Sequence, residues 1–232
     1  MKDIVSKILG YLPKYLPEFL RIFAGPKSAV LERNLGKPDD LKQALVFYGV
    51  SFFLVFPFQR ALFPTQQELW AHIAQSVAIA LFVGLASAAL IRLAWRIVGG
   101  SAPLERFVIV YCYFSGVFLV ISMFSALIPL GALKTFYPDS YATVKTILFS
   151  ADRSPFDPEA AKELQSLPGY LQYSILSALL TLPPLIWYVI AWGAYRKLTG
   201  QTKARSVAAF ILSSIFLFPI GISAFCVKRL FM

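Results

Sequence analysis

Charge is what this sequence has least of. Charged residues make up 15% of the 232 positions and hydrophobic ones 58%, with mean hydropathy +0.66, whereas a soluble domain carries roughly a quarter charged residues. Asp, Glu, Lys and Arg are all absent between Arg106 and Lys134, between Glu163 and Arg196, and between Arg205 and Lys228. Each gap exceeds the ~20 residues that carry a helix across a ~30 Å hydrocarbon core. A soluble core helix has no use for that length with every face apolar, so the composition places the chain in lipid.

Other absences narrow the function. The apolar stretches contain no acidic residue, although pumps and ion-coupled transporters place ionisable groups inside their spans because intramembrane charge is costly and kept for function. Histidine occurs once, at His72 beside Trp70, where an amphipathic ring belongs at the membrane interface. No GxxxxGK phosphate loop occurs, and no His, Cys, Asp or Glu set has metal-ligand spacing. The nearest acidic group, Asp152, Asp157 and Glu159, fits no calcium loop. Ser115, Ser122, Ser125, Ser213 and Ser214 have no partner base and read as interhelical hydrogen-bond donors rather than nucleophiles. The sequence therefore points away from an enzyme and calls for no catalytic residue, cofactor or metal. The two cysteines, Cys112 and Cys226, fall near opposite membrane faces, too far apart for the ~7 Å Cα separation a disulfide requires, and read as free packing thiols. The N-terminus carries neither the apolar run nor the small-residue cleavage site of a signal peptide.

A net charge of +10 raises nucleic-acid binding. That function needs Lys and Arg clustered on a soluble face; here they gather at the ends of apolar segments, as topology requires.

Spans are expected at about 43–63, 71–97, 106–133, 168–195 and 205–228. Their uninterrupted apolar runs lack the alternation of barrel strands, and helices satisfy their own backbone groups in lipid. The expected fold is an all-α integral membrane bundle of about five transmembrane helices (43–232) preceded by an amphipathic segment (1–42). Fifteen Lys and Arg fall on one side of this arrangement and seven on the other. The positive-inside rule then puts the N-terminus in the cytoplasm and the C-terminus outside.

Residues 1–42 set basic charges among apolar residues at helical spacing (Ile4, Ile8, Leu12, then Leu16, Leu20, Phe23), with Pro13 and Pro17 expected to break the segment into short pieces. Such a segment either lies in the interface with its basic residues toward anionic headgroups or docks on the bundle. The long outer loop, 134–167, carries Asp157-Pro158-Glu159, an N-cap, a proline at the first helical position and an acidic first turn. It predicts a short helix ending near Gln165.

Three patterns are candidate sites. Ser76, Ala80, Gly84 and Ala88 recur every four residues, a small-residue ladder that lets helix backbones approach closely, within the chain or in a homo-oligomer. Pro183 and Pro184 in span four and Pro219 in span five predict kinks, since each proline removes a helical hydrogen bond. Carbonyls freed near Leu179 and Leu180 would fall to Thr181 or a neighbouring helix. Broken helices line transporter sites and also serve plain packing. Arg92, Arg96, Arg106, Arg196, Lys197, Lys203 and Arg205 form a cytoplasmic rim that either sets topology alone or also holds anionic lipid headgroups or an acidic partner surface.

Several local stretches resemble the Yip family (Ypt-interacting proteins and their bacterial relatives) over roughly residues 15–230. Asp40-Leu41-Lys42-Gln43-Ala44-Leu45 is similar to the family's lead-in to its membrane domain. Gly99-Gly100 followed by Tyr111-Cys112-Tyr113-Phe114-Ser115 resembles its glycine turn and the aromatic-serine opening of span three. Leu198-Thr199-Gly200-Gln201-Thr202-Lys203-Ala204 resembles the turn into span five. Where the family often has a proline shortly after that serine, this chain has Gly116-Val117. The resemblance implies a five-span bundle with a cytoplasmic N-terminal segment. Eukaryotic members bind Rab-type GTPases through a longer cytoplasmic domain, and the short segment here argues against that partner. The expected function is a non-enzymatic scaffold or accessory subunit acting through helix and lipid contacts, its partners being membrane lipids and other membrane proteins or a second copy. The alternative is a small permease or channel for a neutral or weakly polar solute, with its site near Pro183 and Pro184.

Overall fold

The computed structural model describes residues 2–33, 36–62, 68–149 and 157–230, with side chains from Gly10 to Pro219 apart from Pro38 and Phe149. Asp152 and the side chains of Ile4, Ile8 and Cys226 therefore lie outside the described residues. Within them the chain is helical and has no strand. The helices are α1 (Lys2–Ala24), α2 (Pro26–Glu32), α3 (Pro38–Leu62), α4 (Leu69–Ile97), α5 (Leu104–Phe136), α6 (Pro138–Phe149), α7 (Pro158–Ser166), α8 (Tyr170–Thr199) and α9 (Lys203–Leu230).

Four of these are long and apolar enough to cross a membrane: Asp39–Leu62, Leu69–Ile97, Leu104–Phe136 and Tyr170–Thr199. The exterior agrees with lipid as the solvent. Phe82, Phe124, Leu171, Leu185, Ile186 and Val189, from α4, α5 and α8, are all exposed, as large apolar side chains facing lipid would be. The chain is an integral membrane protein built as a helical bundle. The fifth expected span falls on α9, which packs along α4.

α5 is the centre of the bundle and packs against α3, α4 and α8. It meets α3 closely at Gly116. A Cβ there would stand 2.8 Å from both the Phe47 ring and Ser51 Oγ, so only glycine lets the two helices meet at this depth.

Two hydrophobic clusters occupy opposite ends. At the α1–α2 end the core is aromatic: Tyr15, Phe47, Trp95, Phe107, Tyr113, Phe114, Trp187, Trp192 and Tyr195 are buried together. Rings of Trp187, Phe114, Tyr195 and Trp192 follow one another at centroid separations of 5.8, 5.7 and 5.1 Å. Trp192 also meets Trp95 of α4 and Phe210 of α9, at 5.8 and 5.2 Å. At the α6–α7 end the core is mainly aliphatic, from Leu62, Leu130, Leu133, Val144, Ile147, Ala160 and Leu164.

Several expectations change. Pro13 and Pro17 do not divide α1, which runs unbroken. Both prolines lie on its exposed side while Tyr15 and Ile22 are buried, so the two rings do not obstruct docking. Pro57, Pro183, Pro184 and Pro219 also lie inside continuous helices. Proline is tolerated in membrane helices because nearby groups re-satisfy the freed backbone. Thr181 does not cap the carbonyls near Leu179 and Leu180; its hydroxyl donates to the Ser177 carbonyl at 2.7 Å. The 134–167 segment is more helical than expected: α5 continues to Phe136 and α6 follows. α7 occurs where Asp157-Pro158-Glu159 predicts it, with the Asp157 carboxylate accepting from the Glu159 N–H at 3.1 Å.

Candidate functional site

The N-terminal segment is docked rather than free. α1 and α2 fold back on each other and are clamped by two ion pairs, Arg21 with Glu32 and Arg33 with Glu18. The second is bidentate, Arg33 Nε and Nη2 reaching the two Glu18 oxygens at 2.7 and 2.6 Å, the fork geometry that makes arginine–carboxylate pairs strong. The hydrogen bond to Glu18 raises the Arg33 pKa, so this cation stays charged. Tyr15 Oη shares a 2.9 Å hydrogen bond with Ser51 Oγ of α3, and the Trp187 indole N–H donates to the Phe23 carbonyl at 2.9 Å. Burial pushes the Tyr15 phenol up to about 12, against the opposing pull of the Ser51 hydrogen bond. Leu16, Leu20 and Phe23, the stripe singled out in the sequence, stay exposed on another face of α1. Docking is therefore carried by Tyr15, Ile22, Ala29 and Val30, which the period of the leucine stripe does not reveal.

The two turns that carry most of the basic rim pack against each other, Gly100 lying beside Thr199 and Gly99 beside Arg205. Arg92, Arg96 and Arg205 gather around the turn between α4 and α5. Arg92 Nε donates to the Ala102 carbonyl at 3.1 Å. Gln201 Nε2 donates to the Gly99 carbonyl at 2.8 Å, and Arg205 Nη1 donates to Gln201 Oε1 at 2.8 Å. The turn depends on Gly99, whose φ of +87° lies in the left-handed region and whose absent side chain leaves room for the Arg205 guanidinium. These contacts leave a cleft of about 380 Å³ lined by Arg92, Arg96, Gly100, Ser101, Ala102 and Pro103. Arg106 points elsewhere, its guanidinium beside Gly36. Arg196, Lys197 and Lys203 lie at the α8–α9 turn and do not line this cleft. Ser101 was not singled out from the sequence; its place after the Gly99-Gly100 turn is the signal that locates it.

Of the small-residue ladder, Gly84 and Ala88 are buried, and Gly84 faces the Tyr111 ring of α5, a Cβ at that position lying 3.3 Å from it. Ser76 and Ala80 are half-buried. Pro184 is buried against α5, whereas Pro183 and Pro219 are exposed. His72 stands beside the Phe56 ring at 5.2 Å, and Cys112 is buried.

A second cleft, of about 200 Å³, lies between α5 and α8, lined by Phe118, Ser122, Ser125, Ala126, Tyr173, Ser177, Thr181, Pro184 and Leu185. Among the described residues no three His, Cys, Asp or Glu side chains are grouped to hold a metal ion. No family model, curated protein or solved structure matches the chain.

Proposed function

We propose that this protein is a non-enzymatic membrane scaffold or accessory subunit, with α9 as a fifth span and the α1–α2 end in the cytoplasm of a bacterial inner membrane. In this reading the basic cleft at that end holds an anionic lipid headgroup and so anchors the bundle against its lipid shell. The observation that carries it is the convergence of Arg92 and Arg96 on one cleft with the Ser101 turn, and of Arg205 on the same turn. Positive-inside topology needs basic residues on one side but does not need them pooled in a pocket. Membership of the Yip family belongs to the same proposal and supplies its five-span plan. Partners would be lipids, other membrane proteins or a second copy, approaching along the exposed apolar faces. Passage of a solute is less well supported, because the path from the α5–α8 cleft toward the α1–α2 end is filled by the buried rings of Phe114, Trp187 and Tyr195.

Native mass spectrometry in zwitterionic detergent tests this. Each basic residue near an anionic surface contributes ~1 kcal/mol, so Arg96→Ala with Arg205→Ala should weaken retention of phosphatidylglycerol by roughly thirtyfold. Lys197→Ala with Lys203→Ala removes the same charge outside the cleft and should cost far less. Equal losses from the two pairs, or no anionic lipid on the unaltered protein, reduce the rim to a topological signal.

A further inference from the structure

The polar contacts that hold α1 also fix its depth. Tyr15 Oη meets Ser51 of α3, and the Phe23 carbonyl accepts from the Trp187 indole of α8. Gln43 to Gln59 of α3 carries no charge and spans about 25 Å at 1.5 Å per residue, less than the ~30 Å hydrocarbon core. Ser51 is its midpoint, about 12 Å from Gln43. Trp187 stands a matching ~12 Å inside Tyr195, the last residue before Arg196. Between the anchors runs a row of rings, Phe47, Tyr15, Phe19, Phe23 and Trp187, with neighbouring centroids 5.0, 5.9, 6.3 and 6.5 Å apart. α1 therefore crosses from α3 to α8 at one level, its axis nearly parallel to the membrane plane.

The faces of α1 suit that position. At 3.6 residues per turn, Leu16, Leu20 and Phe23 form one row, and Lys14, Glu18 and Arg21 form another roughly opposite it. Between the two rows, Tyr15 and Ile22 are buried against the bundle. Two contacts show which row points toward water. The charged row opens on a cleft of about 610 Å³ that reaches Gln43, where the charge-free stretch of α3 begins. α2 pairs with the same row through Glu32 and Arg33. It lays its Lys27 over Gly193, nearer than Trp187 to the end of α8. The leucine row, on the other side, points toward the membrane centre, and Leu16 and Leu20 remain 59% and 54% exposed. Interfacial helices sit this way, with the apolar face about 5–10 Å into the acyl region and the charged face toward water.

We propose that Leu16, Leu20 and Phe23 form a lipid-binding surface that rests on the acyl chains of the leaflet at the α1–α2 end. α2 and the charged row then lie at headgroup level. Docking on the bundle accounts for the buried face of α1 but not for this one, since a docked helix bathed in water turns polar side chains outward. The surface depends neither on the basic cleft nor on which end is cytoplasmic.

The test uses spin labels on the full chain in phosphatidylcholine nanodiscs, with Cys112 and Cys226 replaced by serine. Single labels enter through Leu16→Cys, Leu20→Cys and Lys14→Cys, with Val189→Cys on the exposed face of α8 as the hydrocarbon reference. Collisions with oxygen, which concentrates in hydrocarbon, are compared with those of a water-soluble nickel chelate, which hydrocarbon excludes. The oxygen-to-nickel ratio at positions 16 and 20 should match that at 189 and exceed that at 14 by at least about tenfold. Equal ratios at 14, 16 and 20 would overturn the proposal. A fall in both collision rates at 16 and 20, with dipolar broadening between labelled copies, would assign the face to a second chain and also overturn it. Hydroxyl-radical footprinting needs no substitution. On the unaltered protein, Leu16 and Leu20 should be oxidised no faster than Leu185, and oxidation at the rate of an exposed leucine in water would contradict the proposal.

Discussion

The two ends of this bundle solve the same packing problem with different materials. At the α6–α7 end, aliphatic side chains from two short helices cover the ends of α3 and α5. At the α1–α2 end, large rings carry polar atoms that reach across helices: Tyr15 to Ser51, Trp187 to the Phe23 carbonyl, and Trp192 to the Ser206 carbonyl at 3.2 Å. In lipid there is little hydrophobic drive for one helix to leave the solvent for another, so shape and interhelical hydrogen bonds decide. The contrast lies in how each end is held: α6 and α7 cover the spans by ordinary burial, whereas α1 is fixed on them by directed polar contacts of Tyr15 and Trp187, and α8 meets α9 through Trp192.

The largest difference should appear when the cap is truncated. Leu164 of α7 is 2% exposed, and Leu164→Ala should cost about 2–5 kcal/mol, as large-to-small core changes do. The loss should be local. Hydrogen exchange should rise in α6 and α7 and stay unchanged in α1 and α2; an equal rise at both ends would show that they are one cooperative unit.

Next in size is Gly116→Ala at the α3–α5 crossing. The added methyl meets Phe47 and Ser51, both fully buried, with Ser51 tied to Tyr15. Overpacking of this kind costs about 1–3 kcal/mol, read as a fall in thermal stability in detergent. Because Ser51 must yield, α1 should loosen too, which limited proteolysis near Gly25 would report. An unchanged melting temperature would mean that the crossing is less tight than described.

The smallest effect belongs to Tyr15→Phe, which removes one hydrogen bond, about 0.5–1.5 kcal/mol. Its pH signature is more specific than its size. Burial raises the Tyr15 pKa from 10 to about 12, so the folded state holds its proton more tightly than the unfolded chain does. The Tyr15 contribution to docking should be constant below pH 10 and should be lost as pH rises from 10 through about 12. Tyr15→Phe should flatten that part of the profile, while the cap, probed at α7, should not follow it.

How much of this was legible depended on the periodicity of each signal. The charge-free gaps at 107–133 and 164–195 located the apolar helices α5 and α8 because lipid penalises every ionised side chain alike, and Asp157-Pro158-Glu159 located α7 because capping is a local transaction among neighbours in sequence. The docking of α1 was not legible. Its visible stripe, Leu16, Leu20 and Phe23, turned out to be the exposed one, and Tyr15 and Ile22 reveal themselves only through α3, α5 and α8. The rim was read from two turns expected side by side; Arg205 does reach the Gly99 turn, while Arg106 goes to Gly36. Side-chain reach, rather than sequence proximity, sorted them. Of the hydroxyls in the α5–α8 cleft, Ser122 and Ser125 were read singly as hydrogen-bond donors and Thr181 as a partner for freed carbonyls, while Tyr173 and Ser177 were not singled out, and their meeting required knowing that α5 and α8 are neighbours.

The account rests most heavily on which end faces the cytoplasm, since the headgroup cleft has meaning only beside an anionic leaflet. Replacing Cys112 and Cys226 with serine and introducing single cysteines by Thr202→Cys, at the α8–α9 turn, or Thr146→Cys, on the exposed side of α6, allows both ends to be read in intact cells. A membrane-impermeant maleimide should label Thr146→Cys directly and Thr202→Cys only after permeabilisation. Labelling of Thr202→Cys from outside, with Thr146→Cys protected, would contradict the orientation and with it the proposed role of the basic cleft.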